Sequence, residues 1–293
     1  MMDPSGKEFS SSALLVALLF LTACCVQKAA EEKPAASAQV TAVQTTTVLI
    51  TTSTDASKEI SAGMQAMLKE GNLDGALDLA GREGGEHPEI LAYLNDYGAS
   101  LTANQRFEDA ARVFDRILDV SPTHATALYN KCYMLVAWKR FEDAAVACNK
   151  TTDVNPSDAE AYYNRATALY YLGRYEESVQ ACDKATEINP GYAGASYNKG
   201  VALTSLKRYE EAIEAYDKAL EIKPDYVEAL NNKGSVLATL ERYDEAIAAF
   251  DKSINLRPDY NETAKNREIT VTKMKNLNQT KAAASPNQKK EDV

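Results

Sequence analysis

Tyr197–Pro224 reads YNKGVALTSLKRYEEAIEAYDKALEIKP, and its closing proline belongs to a ladder. Pro88, Pro122, Pro156, Pro190, Pro224 and Pro258 stand at equal spacing, about 34 residues apart. A fixed period of this length signals stacked repeats, each covering the apolar faces of its neighbours. With repeats starting at 57, 91, 125, 159, 193 and 227, columns of like residues line up. A small residue recurs as Gly98, Cys132, Ala166, Gly200 and Gly234, and another further along each repeat as Ala110, Ala144, Ser178, Ala212 and Ala246. Aromatics recur as Phe107, Phe141, Tyr175, Tyr209 and Tyr243, and leucines as Leu101, Leu135, Leu169, Leu203 and Leu237.

The columns define the unit. Leu230, Gly234 and Leu237 fall at helical spacing and form one stripe; Tyr243, Ala246, Ile247, Phe250 and Ile254 form a second. Two short amphipathic helices therefore pack face to face, the small residues letting their backbones approach. Each pair is too short to hold itself. The proline stops the second helix, and Ser157 with Glu160, Asp225 with Glu228 and Asp259 with Glu262 read as caps of the next one. The first repeat, 57–90, keeps Gly71, Ala76, Ala80 and Pro88, but Gly81, Gly84 and Gly85 predict a frayed second helix. After residue 260, Asn261–Leu277 starts like another first helix. Glu268 in the small-residue column marks it as a polar end cap.

These residues resemble the tetratricopeptide repeat, a helix–turn–helix of about 34 residues. The resemblance covers 57–260 and implies an all-α solenoid (an α-α superhelix) of about six repeats with a capping helix, spanning 57–277. It also implies a non-enzymatic scaffold that binds other proteins.

The N-terminus reads differently. Ala13–Leu21 (ALLVALLFL) opens an apolar stretch that runs to Val26. That is short of the ~20 residues a bilayer span needs, whereas its length suits the core of a secretory signal. Leu21-Thr22-Ala23-Cys24 resembles the lipobox of prokaryotic lipoproteins, which implies cleavage after residue 23 and lipidation of Cys24. Lys7 against Asp3 and Glu8 is a departure from the usual basic start. The alternative is an uncleaved signal anchor, with Cys24 and Cys25 as ordinary apolar residues. Both readings place the repeats outside the cytoplasmic membrane, facing outwards or into a periplasm. Residues 24–56 lack the composition of a core, Thr41–Thr54 holding seven threonines, and read as a disordered stalk. Residues 278–293 read as a disordered polar tail.

Net charge −10 disfavours nucleic acid as a partner, and no basic stripe with interleaved aromatics offsets it. The two histidines, His87 and His124, have no cysteine or carboxylate at metal-ligand spacing, so neither metal nor cofactor is expected. Cys132, Cys148 and Cys182 fall in core columns and read as small apolar residues. A Cys132–Cys148 bridge is the sharper alternative in an oxidising compartment.

The resemblance places the first helices along a concave side. Next to the core stripe stand Tyr129, Tyr133 and Val136, then Tyr163, Thr167 and Tyr170, then Tyr197, Val201 and Thr204, without one charge. A tyrosine-rich surface gives broad contact at low entropy cost. Asn130, Asn164, Asn198 and Asn232 stand one residue further along. In ligand-binding members of the family, Asn in this column bonds the ligand's backbone. These residues form the candidate peptide site. The alternative is that the tyrosines and asparagines only pack adjacent repeats together. The cations Lys131, Arg165, Lys199 and Lys233 are expected to lay their stems along the helix interface and pair with nearby acids. The groove columns lack the lysines and arginines of carboxylate-clamping co-chaperones, so no such clamp is expected.

The function expected is a lipid-anchored scaffold holding extended segments of partner proteins, such as envelope-assembly or secretion components. The alternatives are an accessory lipoprotein carrying a small solute or lipid to a membrane transporter, and self-association through the end faces.

Overall fold

The computed structural model describes residues 55–85 and 87–284, which form thirteen α-helices and no strand. The signal, the lipobox cysteine Cys24, nearly all of the stalk and the end of the tail lie outside the described residues. The helices are α1 (Asp55–Lys69), α2 (Leu73–Glu83), α3 (Pro88–Ala103), α4 (Phe107–Val120), α5 (Ala125–Ala137), α6 (Phe141–Val154) and α7 (Ala159–Tyr171). They continue as α8 (Tyr175–Ile188), α9 (Ala193–Ser205), α10 (Tyr209–Ile222), α11 (Val227–Thr239), α12 (Tyr243–Leu256) and α13 (Asn261–Ala284). The chain divides into two compact units, the first ending at Leu172 and the second starting at Gly173.

The small-residue column is where helices touch. A Cβ on Gly98 would lie 2.8 Å from the ring of Phe114, and one on Gly200 or Gly234 would lie 2.6 Å from Tyr216 or Phe250. Each glycine thus lets a fully buried ring of the second helix lie against the backbone of the first. Repeat 125–158 solves the same problem covalently. Cys132 and Cys148 occupy the glycine and ring columns and form a disulfide, with Cα atoms 4.9 Å apart. The apolar-core reading therefore gives way to the bridge for this pair. Cys182 remains a buried thiol, and burial holds its pKa well above the ordinary thiol range. Neighbouring repeats also meet through aromatics. Phe107 stacks on Trp138 at 5.9 Å, and Phe141 on Tyr171 at 4.2 Å.

A further column lies in the turn between the two helices of a repeat. Gly71, Gln105, Lys139, Gly173, Lys207 and Glu241 all have φ between 59° and 78°. Around Lys139 the bonds are those of a Schellman cap: Lys139 N–H donates to the Val136 carbonyl, and Arg140 N–H to that of Leu135. The next residue is an arginine in five repeats. Its guanidinium bonds an acid three positions on, as in Arg174–Glu177 (2.5 Å) and Arg208–Glu211 (2.5 Å). The acidic pairs that open the second helices therefore sit at a helix N-terminus with one member held by arginine.

Several boundaries differ from expectation. The glycines of the first repeat leave α2 intact through Gly81 but end it at Glu83, so it has 11 residues against 14 in α4. Pro88 starts α3 instead of preceding it, as a first-turn proline can. Each later proline is itself the first of two turn residues, so the cap falls two places after it and not one. Asp158, not Ser157, accepts from Ala161 N–H at 3.0 Å, and Tyr226, not Asp225, precedes α11. At the other end α13 runs on past Leu277 to Ala284.

Candidate functional site

Of the candidate tyrosines, those in the first unit stay within reach of solvent. Tyr129, Asn130 and Tyr133 on α5, and Tyr163 and Tyr170 on α7, are half-buried, while Asn164 is buried. One turn of helix separates Tyr129 from Tyr133, which puts both rings on one face. The Tyr129 hydroxyl donates to Glu160 Oε2 at 2.6 Å, bridging the start of α7 to α5. Burial, then this bond and the Glu160 charge, push the Tyr129 pKa far above its ordinary value, so the phenol stays a neutral donor. On α7, Tyr170 meets Tyr171 edge-on at 5.7 Å. Burial beside Tyr170 and Tyr163 pushes the Tyr171 phenol up to about 12. The result is a surface of uncharged hydroxyls and ring faces with one carboxylate at its edge.

The second unit uses the same columns differently. Tyr197 is only 1% exposed. Its ring packs on Tyr226 at 4.9 Å and Tyr216 at 6.0 Å, and its hydroxyl accepts from Asn232 Nδ2 at 3.0 Å. Asn232 is itself buried, and Asn198 is half-buried. Tyr197 and Asn232 are therefore packed inside this unit. The asparagine columns also tie repeats together. Asn130 donates to Asn95 Oδ1 at 2.9 Å in the first unit, and Asn266 to Asn231 Oδ1 at 3.2 Å in the second. Sequence reading missed Asn95, which stands in the tyrosine column of repeat 91–124.

The cation column pairs as expected at Lys131 with Asp115, Lys199 with Asp183 (2.6 Å) and Lys233 with Asp217, and continues at Arg267 with Asp251. Each aspartate lies on the second helix of the preceding repeat. Arg165 departs from the pattern. Among the described residues no three His, Cys, Asp or Glu side chains gather as a metal site, and no helix is long and apolar enough to cross a membrane.

The helix pairs and the aromatic locks define a helical repeat protein. Tetratricopeptide repeat models match residues 98–151, 159–192, 193–226 and 227–260, more than half of the chain, which belongs to that family and has its all-α fold. A crystal structure of MamA protein is 25% identical, covering 57% of this chain and 92% of its own, with a TM-score of 0.54. YrrB, described as a TPR protein with an unusual peptide-binding site, is 21% identical over 64% of this chain and 96% of its own, with a TM-score of 0.55. Among curated proteins no match is found.

Proposed function

We propose that the chain is a non-enzymatic, exported scaffold, tethered to a membrane through lipidated Cys24, which holds extended segments of partner proteins on the tyrosine face of α5 and α7. The observation that carries this reading is the set Tyr129, Tyr133, Tyr163 and Tyr170, which remains half-buried on a face without lysine or arginine. Rings fixed by their own helices offer contact area with few rotors to freeze, and their hydroxyls suit backbone groups of a bound strand. Asn130 lies beside them for the same purpose. Asn164 is buried, as Asn232 is, and goes to the packing with it. In the second unit Asn198 keeps the half-buried state of a ligand contact, whereas Tyr197 and Asn232 serve the packing. Export is supported by the apolar run before Cys24 and by the Cys132–Cys148 bridge, since disulfides persist chiefly in oxidising compartments.

The test is capture from solubilised membranes, with bound proteins identified by mass spectrometry. Tyr129→Ser, Tyr133→Ser and Tyr163→Ser together should lower capture at least tenfold while helicity stays unchanged. Equal capture by the folded triple variant would remove the tyrosine face from the reading. Intact mass of the membrane-derived protein should show a lipidated terminus at Cys24; a chain that retains residues 1–23 would establish the anchor instead.

A further inference from the structure

Each repeat is a control for the others, and three departures coincide where α6 precedes Arg165 of α7. The first is charge. Lys131, Lys199, Lys233 and Arg267 each pair with an aspartate on the second helix of the preceding repeat. Arg165 occupies the same cation column, but the aspartate column before it holds Asn149. The second is satisfaction. The Arg165 Nε is shielded from solvent and has no hydrogen-bond partner among the described residues. A buried polar atom without a partner is rare in native proteins and signals either a missing ligand or stored cost. The third is polarity. Val146 is 59% exposed, where its column elsewhere holds Arg112, Gln180, Glu214 and Ala248. Val146 and Asn149 stand three apart on one helix, hence side by side on one face.

We infer that Arg165, Asn149 and Val146 form a second docking point, which takes a carboxylate side chain of a partner protein together with the apolar residue next to it. The ligand class follows from the repeats themselves. At four equivalent places a carboxylate from the chain fills the position in front of the cation. Here the aspartate column holds Asn149 instead, and a guanidinium donates to a carboxylate in two parallel bonds better than an ammonium does. Asn149 supplies an amide donor to the same oxygens. Val146 covers the apolar neighbour and helps exclude water, which strengthens the ion pair. Val146 and Asn149 lie on α6 and Arg165 on α7.

The test uses the full chain with ¹⁵N-labelled arginine, read at the Nε–Hε resonance of Arg165. The probes are acetyl-Leu-Glu-Leu-amide, its Gln counterpart and inorganic phosphate. The Glu peptide should move the Arg165 signal saturably, and the other two should not. Asn149→Asp, which rebuilds the bridge of the other repeats, should raise the apparent Kd at least tenfold without loss of helicity. Val146→Gln should raise it about threefold. An unmoved Arg165 signal would mean that no carboxylate reaches the guanidinium and would overturn the proposal. So would an equal response to the Gln peptide or to phosphate, or unchanged affinity in the folded Asn149→Asp protein.

Discussion

Repeat 227–260 presses Gly234 against the ring of Phe250, whereas repeat 125–158 joins Cys132 to Cys148. The two pairs occupy the same columns, and both hold a first helix to a second. The aromatic version gains its stability from buried area and close contact. The disulfide version replaces a ring with two small side chains and holds the helices by a covalent bond. The difference extends to the surface. The second unit buries Tyr197 under Tyr226, while the first keeps Tyr129 and Tyr133 half-exposed. One scaffold can thus place its tyrosines inside in one region and present them in another.

The largest effect should come from breaking the aromatic lock. Phe250→Ala should lower unfolding free energy by about 3–5 kcal/mol, read from denaturant midpoints, because a fully buried ring leaves a cavity. Replacing both Cys132 and Cys148 by Ala should cost about 3 kcal/mol, the scale of closing a loop of this size. Only the wild type, and not that double variant, should lose stability in reductant once it unfolds. Converting one lock to the other sharpens the comparison. Cys132→Gly with Cys148→Phe should come within about 1.5 kcal/mol of the oxidised protein and ignore reductant, since cores tolerate swaps that keep the pattern. A pair of cysteines that behaved no differently from alanines would end the idea of equivalent locks.

A smaller contrast lies in the left-handed turn column. Gly71→Ala should cost about 1 kcal/mol, because a Cβ disfavours this conformation. Glu241→Gly should do the reverse and add up to about 1 kcal/mol to the second unit. Acid should give the smallest effect, of opposite sign in the two units. The side-chain bonds from Arg208 and Arg242 lower the pKa of Glu211 and Glu245. Their contribution is present above the unfolded carboxylate value and lost as pH falls through the lowered folded value. Burial raises the Asp158 pKa, so protonation there favours the folded state as pH falls below that raised value. Unit-specific amide exchange between pH 6 and 3 should register both directions.

The repeat period, the two stripes and the small-residue column were legible because each is a local spacing of apolar residues. Less legible was whatever depends on a neighbouring repeat. Tyr197 and Tyr129 share a column, but Tyr226 covers one and not the other, which no spacing within a repeat reveals. The cap shift to Asp158 depends on how many residues follow the proline in the turn. The left-handed column was in plain sight at Gly71 and Gly173. Its other members, Gln105, Lys139, Lys207 and Glu241, share no chemistry and hid it. The disulfide stayed open because cysteine in a core column fits either state. Arg165 looked like one more cation until the absence of its aspartate was set against the other repeats.

Glu268 gives α13 a consequence for how the molecule ends. It stands exposed in the column where a following hairpin would need a glycine or alanine. Any further hairpin, whether encoded downstream or offered by another molecule, would have to strip that carboxylate of water. The stack is therefore closed to growth at this end, and lengthening it by design requires insertion before Asn261.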